Sequence, residues 1–171
     1  MGDEKVRRDL NAVAWAHVDA ERFDEAEVAI RELIDRTDLR DPLRLGHLFA
    51  LLAGVLNALE RPEEGTEMYR RALAEARRAG PANGLEVARY MLANQFLIFG
   101  DPLDALAEAE PIPGGSGHVR CLLRSVAAQA LWKLGRHEEA RSAAKSAIDA
   151  APTDDGRSNL TEELAHILRV D

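Results

Sequence analysis

The sequence predicts an all-α fold: an α-solenoid of about four antiparallel helix hairpins plus a C-terminal capping helix, as a single domain over 1–171. Three observations carry this reading. Apolar residues recur at three- and four-residue steps along nearly every segment, the spacing that lines one face of a helix. Short breaks containing Gly, Pro or Asp separate the segments, and these residues end one helix and open the next. A small residue that opens every second segment, Ala26, Gly65, Ala105 and Ala140, returns after 39, 40 and 35 residues, close to a helical-repeat period.

The first hairpin spans about 3–38. Val6, Leu10, Val13, Ala14 and Val18 stripe its first helix, which breaks at Glu21 to Phe23. Asp24 is the expected N-cap of the second helix, whose Ala26, Ile30, Leu33 and Ile34 point inward. In the second hairpin, about 41–80, Asp41-Pro42 places an N-cap before a proline at the first helical position. The helix that follows carries Leu45, Leu48, Phe49, Leu51, Leu52, Val55, Leu56 and Leu59 around most of its circumference, so burial on more than one side is expected. Arg61-Pro62 opens its partner, with Met68, Tyr69, Ala72, Leu73 and Ala76 inward and a stop at Gly80-Pro81.

The third hairpin, about 83–112, begins at Asn83-Gly84 with another helix apolar nearly all round, through Leu85, Val87, Tyr90, Met91, Leu92, Phe96, Leu97 and Ile98. Gly100-Asp101-Pro102 breaks it, and Pro111 and Pro113 keep the next helix short because proline lacks the donor a helix interior needs. Residues 113–117, Pro-Gly-Gly-Ser-Gly, read as a flexible loop. The fourth hairpin, about 118–152, turns at Gly135 and stops at Pro152; Ala140, Ala144 and Ala147 follow one face of its second helix and permit close helix approach. A capping helix over about 155–170 shows Leu160, Leu164, Ile167 and Leu168 on one stripe.

Aligned on the small residue, the hairpins agree elsewhere. Ala14, Ala53, Ala93 and Ala128 each stand three residues before His17, Leu56, Phe96 and Leu131, and the breaks read ERFDEA, ERPEEG, GDPLDA and GRHEEA. This pattern resembles the tetratricopeptide repeat (TPR), most closely in the last unit with Ala128, Leu131, Gly135, Ala140, Ala147 and Pro152. The first unit lacks glycine at its turn, the second has Gly65 where alanine is usual, and the third breaks at Pro111. The two long steps resemble the extended-helix variant found in bacterial regulatory proteins. The resemblance implies stacked hairpins with the first helices lining a concave face, because one hairpin cannot bury its apolar stripe alone.

Composition narrows the function classes. A net charge of −8 disfavours nucleic acid, whose binding needs concentrated Lys and Arg. The single Cys121 excludes an internal disulfide framework and suits a reducing compartment; with neither a leader nor a membrane-spanning stretch evident, a cytoplasmic protein is expected. Gly114-Gly115-Ser116-Gly117 has no following Lys-Ser or Lys-Thr and reads as linker rather than phosphate cradle. His17, His47, His118, His137 and His166 form no HExxH pair, so no metal, cofactor or catalytic residue is assigned. Cys121, three residues from His118 but beside Leu122 and Leu123, reads as a buried, unreactive thiol.

The expectation is therefore a non-enzymatic protein–protein interaction module. Carried over from the resemblance, its concave-face contacts are Asn11, Trp15, Asn57, Tyr90, Asn94, Gln129 and Trp132, with amides for a bound peptide's backbone and aromatics as anchors. The basic and amide pattern with which some TPR proteins grip a C-terminal carboxylate is missing: the equivalent positions read Asn11, Trp15, Leu51, Val87 and Met91. Two alternatives stand beside a peptide or helix partner: a homodimer through the apolar inner helices, and a regulator that senses a small ligand in the groove. The last helix either caps the stack or folds into that groove.

Overall fold

A computed structural model describes residues 2–80, 84–110 and 117–169, with side chains from Asp9 onward. The expected stops and loop at Pro81, Asn83, Pro111, Pro113 and residues 114–116 lie outside the described residues, as does the side chain of Val6. Among the described residues there are ten helices and no strand. The chain divides into two compact units, Met1–Ala82 and Asn83–Asp171, each built from two antiparallel hairpins of solenoid type.

The first unit contains α1 (Gly2–Asp19), α2 (Phe23–Asp35), α3 (Pro42–Ala58) and α4 (Pro62–Ala79). Each helix packs on the next in sequence, and α2 fills the space against α3. Ala14, Ala26, Ile30, Leu33, Leu52, Ala53 and Leu56 are removed from water at the centre, each large aliphatic side chain stabilising the fold by about 1.5–3 kcal/mol. The all-round apolar character of α3 has the expected cause: it touches both α2 and α4. Asp41 caps α3, its Oδ1 accepting from the Arg44 N–H at 3.1 Å. Asp24 does not cap α2; the helix begins one residue earlier at Phe23, and Asp24 lies in the first turn, where its charge still complements the helix dipole.

The second unit contains α5 (Gly84–Phe99), α6 (Pro102–Glu108), α7 (Gly117–Lys133), α8 (His137–Asp149), α9 (Asp154–Glu163) and α10 (Ala165–Leu168). Here the two first helices, α5 and α7, pack on each other, with α6 beside α7 and α8 behind it. The faces of α5 differ from the sequence expectation. Glu86 and Gln95 are buried, whereas Val87, Ile98 and Phe99 are exposed. The expected capping helix is broken at Leu164 into α9 and α10, and this kink brings Leu160, Leu164 and Ile167 all into the core, the last two against Ala128, Ala140, Ala144 and Ala147.

Three of the four hairpin turns are the same object. Glu21, Glu60 and Gly135, equivalent by alignment, have φ of 55°, 59° and 74°. In each turn that residue's N–H donates to Val18, Asn57 or Trp132, and the next residue's N–H donates to His17, Leu56 or Leu131, at 2.9–3.0 Å. These paired bonds close the helix through a left-handed residue, the Schellman arrangement. The glycine missing from the first two turns is thus replaced by a glutamate held in a strained conformation. The third turn differs: Gly100 donates only to Phe96, and a Cβ on it would lie 3.0 Å from the Phe96 ring.

Candidate interaction surface

The seven side chains expected on the inner face do not share one environment. In the first unit, α1 presents Asn11 half-buried and Trp15 exposed at 47%. Asn57 on α3 is half-buried. Its Oδ1 sits directly over Gly65 at the start of α4, where an alanine Cβ would overlap it and lie 3.2 Å from the Ala53 carbonyl oxygen. The close approach of two helices turned this amide inward, and it also explains why the second repeat carries glycine at the position where the other three carry fully buried alanines.

The α2–α4 side of this unit is charged rather than receptive. Arg61 bridges Glu27 and Glu64 at 2.6 Å each, and Arg31 reaches Glu27 at 2.7 Å. Burial works against the charge on Glu27, but hydrogen bonds from Arg31 and Arg61 outweigh it and hold the carboxyl below the ordinary range. Glu64 is lowered in the same way by its hydrogen bond to Arg61. The network joins the two hairpins across helices.

In the second unit, Tyr90 and Asn94 stand one turn apart on α5, and Gln129 and Trp132 lie on the neighbouring α7; all four are half-buried. Trp132 is held edge-on by His137 at 4.2 Å between ring centres and by His166 of α10 at 6.0 Å. Sequence reasoning missed the residue that ties these together. Glu163 at the end of α9 accepts hydrogen bonds from Gln129 Nε2 at 2.7 Å and Ser125 Oγ at 2.9 Å, and Gln129 also donates to Ser125 Oγ at 3.3 Å. Burial, and after it the Glu163 charge, pushes the Tyr90 hydroxyl above its ordinary pKa. A glutamate one position short of the apolar stripe carries no signal in a single sequence.

Cys121 is 3% exposed, its Sγ–H donates to the His118 carbonyl at 2.9 Å, and burial raises its pKa, so the thiol is in its least nucleophilic form. Among the described residues, no group of three or more His, Cys, Asp or Glu is placed to hold a metal ion. No helix among them is long and apolar enough to cross a membrane.

Residues 125–154, the second half of α7 through the start of α9, match the family model of the tetratricopeptide repeat. The chain is TPR-like, and the match falls on the unit in which the repeat's small residues Ala128, Ala140 and Ala147 are all completely buried. A comparison with curated protein sequences gives no match. Tetratricopeptide repeats serve as protein-interaction modules and are generally non-enzymatic.

Proposed function

We propose that this protein is a non-enzymatic adaptor that binds a peptide or helix of a partner protein along the inner face of its first helices. In the second unit the contact residues are Tyr90, Asn94, Gln129 and Trp132; in the first they are Asn11 and Trp15. What supports this reading is that two aromatics and two amides lie on the mutually packed helices α5 and α7, all of them half-buried. Such a surface combines large anchors of low entropy cost with groups that satisfy a ligand's backbone. Asn57 is left out because its Oδ1 packs over Gly65 at the start of α4.

The test is capture from native cytosol by the intact protein and by a Tyr90→Ala, Asn94→Ala double variant of unchanged helicity, read by mass spectrometry. A partner retained by the first and lost by the second supports the adaptor. Equal capture by both, or loss of the fold in the variant, overturns the assignment of these residues to a binding surface.

A further inference from the structure

The buried stripe of the cap formed by α9 and α10 does not include Glu163. Leu160, Leu164 and Ile167 supply that stripe, and Glu163 lies off it at an exposed position. Its carboxylate is nevertheless turned onto α7, where two donors a helical turn apart converge on one oxygen: Ser125 Oγ at 2.9 Å and Gln129 Nε2 at 2.7 Å. Ser125 is buried at 2% exposure, and the acceptor its hydroxyl meets is this carboxylate rather than a carbonyl of its own helix. Hydrogen bonds to an ionised acceptor are about twice as strong as neutral ones, which makes a carboxylate the favoured occupant. Gln129 belongs to the surface proposed above.

We propose that Ser125 and Gln129 form a recognition site for an Asp or Glu side chain of a partner peptide, and that Glu163 fills this site from within as an autoinhibitory mimic. The proposal rests on the adaptor reading. It does not require a basic groove: both donors are neutral, and the chain already holds a carboxylate there despite its net charge of −8. Charges elsewhere on the surface are screened beyond about 8 Å at physiological ionic strength. Being attached, Glu163 competes at an effective concentration on the order of millimolar, so an acidic segment gains access only when α9 lifts or when its other contacts outweigh the mimic.

The test uses the full chain, its Glu163→Ala variant, and a fluorescently labelled, end-capped hexaglutamate peptide, with hexaglutamine as control, read by anisotropy. The expected result is at least tenfold tighter binding of hexaglutamate to Glu163→Ala than to the intact protein, abolished when Ser125→Ala and Gln129→Ala are added, and no such gain for hexaglutamine. Equal affinity for the intact and variant proteins overturns the proposal. So does a gain that survives loss of both donors, or an equal gain for hexaglutamine, since either means that a surface was uncovered without a carboxylate site. Should Glu163→Ala lose helicity, Glu163→Gln keeps the length and an acceptor oxygen, and a several-fold gain is expected in its place. If hexaglutamate fails while the Tyr90→Ala, Asn94→Ala variant still loses its captured partner, the mimic is wrong and the adaptor stands.

Discussion

Replacing Gly65 by alanine tests the most specific packing claim made for the first unit. The new Cβ would overlap Asn57 Oδ1 and stand 3.2 Å from both Asn57 Cγ and the Ala53 carbonyl oxygen. Overpacking a closed interface costs about 1–3 kcal/mol, while exchanging glycine for alanine inside a helix returns about 1 kcal/mol. Gly65→Ala alone is therefore expected to destabilise by roughly 0–2 kcal/mol, a range too wide to be decisive. The double-mutant cycle is decisive. Once Asn57→Ala has removed the carboxamide, the same Gly65→Ala change meets only the Ala53 carbonyl and should be neutral or stabilising. The coupling energy between the two sites is expected at about 1–3 kcal/mol, measured from urea denaturation of the four proteins followed by helicity. A coupling below about 0.5 kcal/mol would refute the reasoning. It would mean that the Asn57 side chain swings away at no cost, and it would return that amide to the groups available to a partner.

The shared turn predicts opposite signs at equivalent positions. Gly135→Ala should cost about 1–2 kcal/mol and Glu60→Gly should stabilise by up to about 1 kcal/mol, because both residues occupy the left-handed region where a Cβ is penalised; paired urea midpoints check this. Asp41→Ala should cost about 1 kcal/mol by freeing the Arg44 N–H, read as a shift in the same midpoint. Ile167→Ala should cost about 2–5 kcal/mol, since this fully buried side chain anchors α10 against α8, and thermal unfolding would register it. The carboxyls of Glu27, Glu64 and Glu139 are all lowered in the folded protein. Their contribution is accordingly present above the ordinary value of 4.5 and is lost as pH falls through the depressed values. An Arg61→Ala variant should show a weaker acid dependence of its unfolding midpoint than the intact protein, and an equal dependence would remove the network as the cause.

By itself the sequence determined where helices start and stop, because those boundaries are written in local chemistry. Asp41-Pro42, Arg61-Pro62, Asp101-Pro102 and Gly135 act on their own backbone, and apart from the break at Leu164 the helices end within a residue or two of the expected points. It also determined the repeat, since a completely buried small residue must recur wherever two helices of a hairpin cross: Ala26, Ala105 and Ala140. The direction in which a polar side chain turns was decided only by tertiary structure. Asn57 and Gln129 both lie on first helices, yet one amide oxygen packs over Gly65 of α4 and the other amide is met by Glu163 from a helix 34 residues further along the chain. The exposure of Ile98 and the burial of Glu86 and Gln95 on α5 were decided in the same way. An all-round apolar helix has no preferred face of its own, so its orientation is set by the neighbours that pack on it.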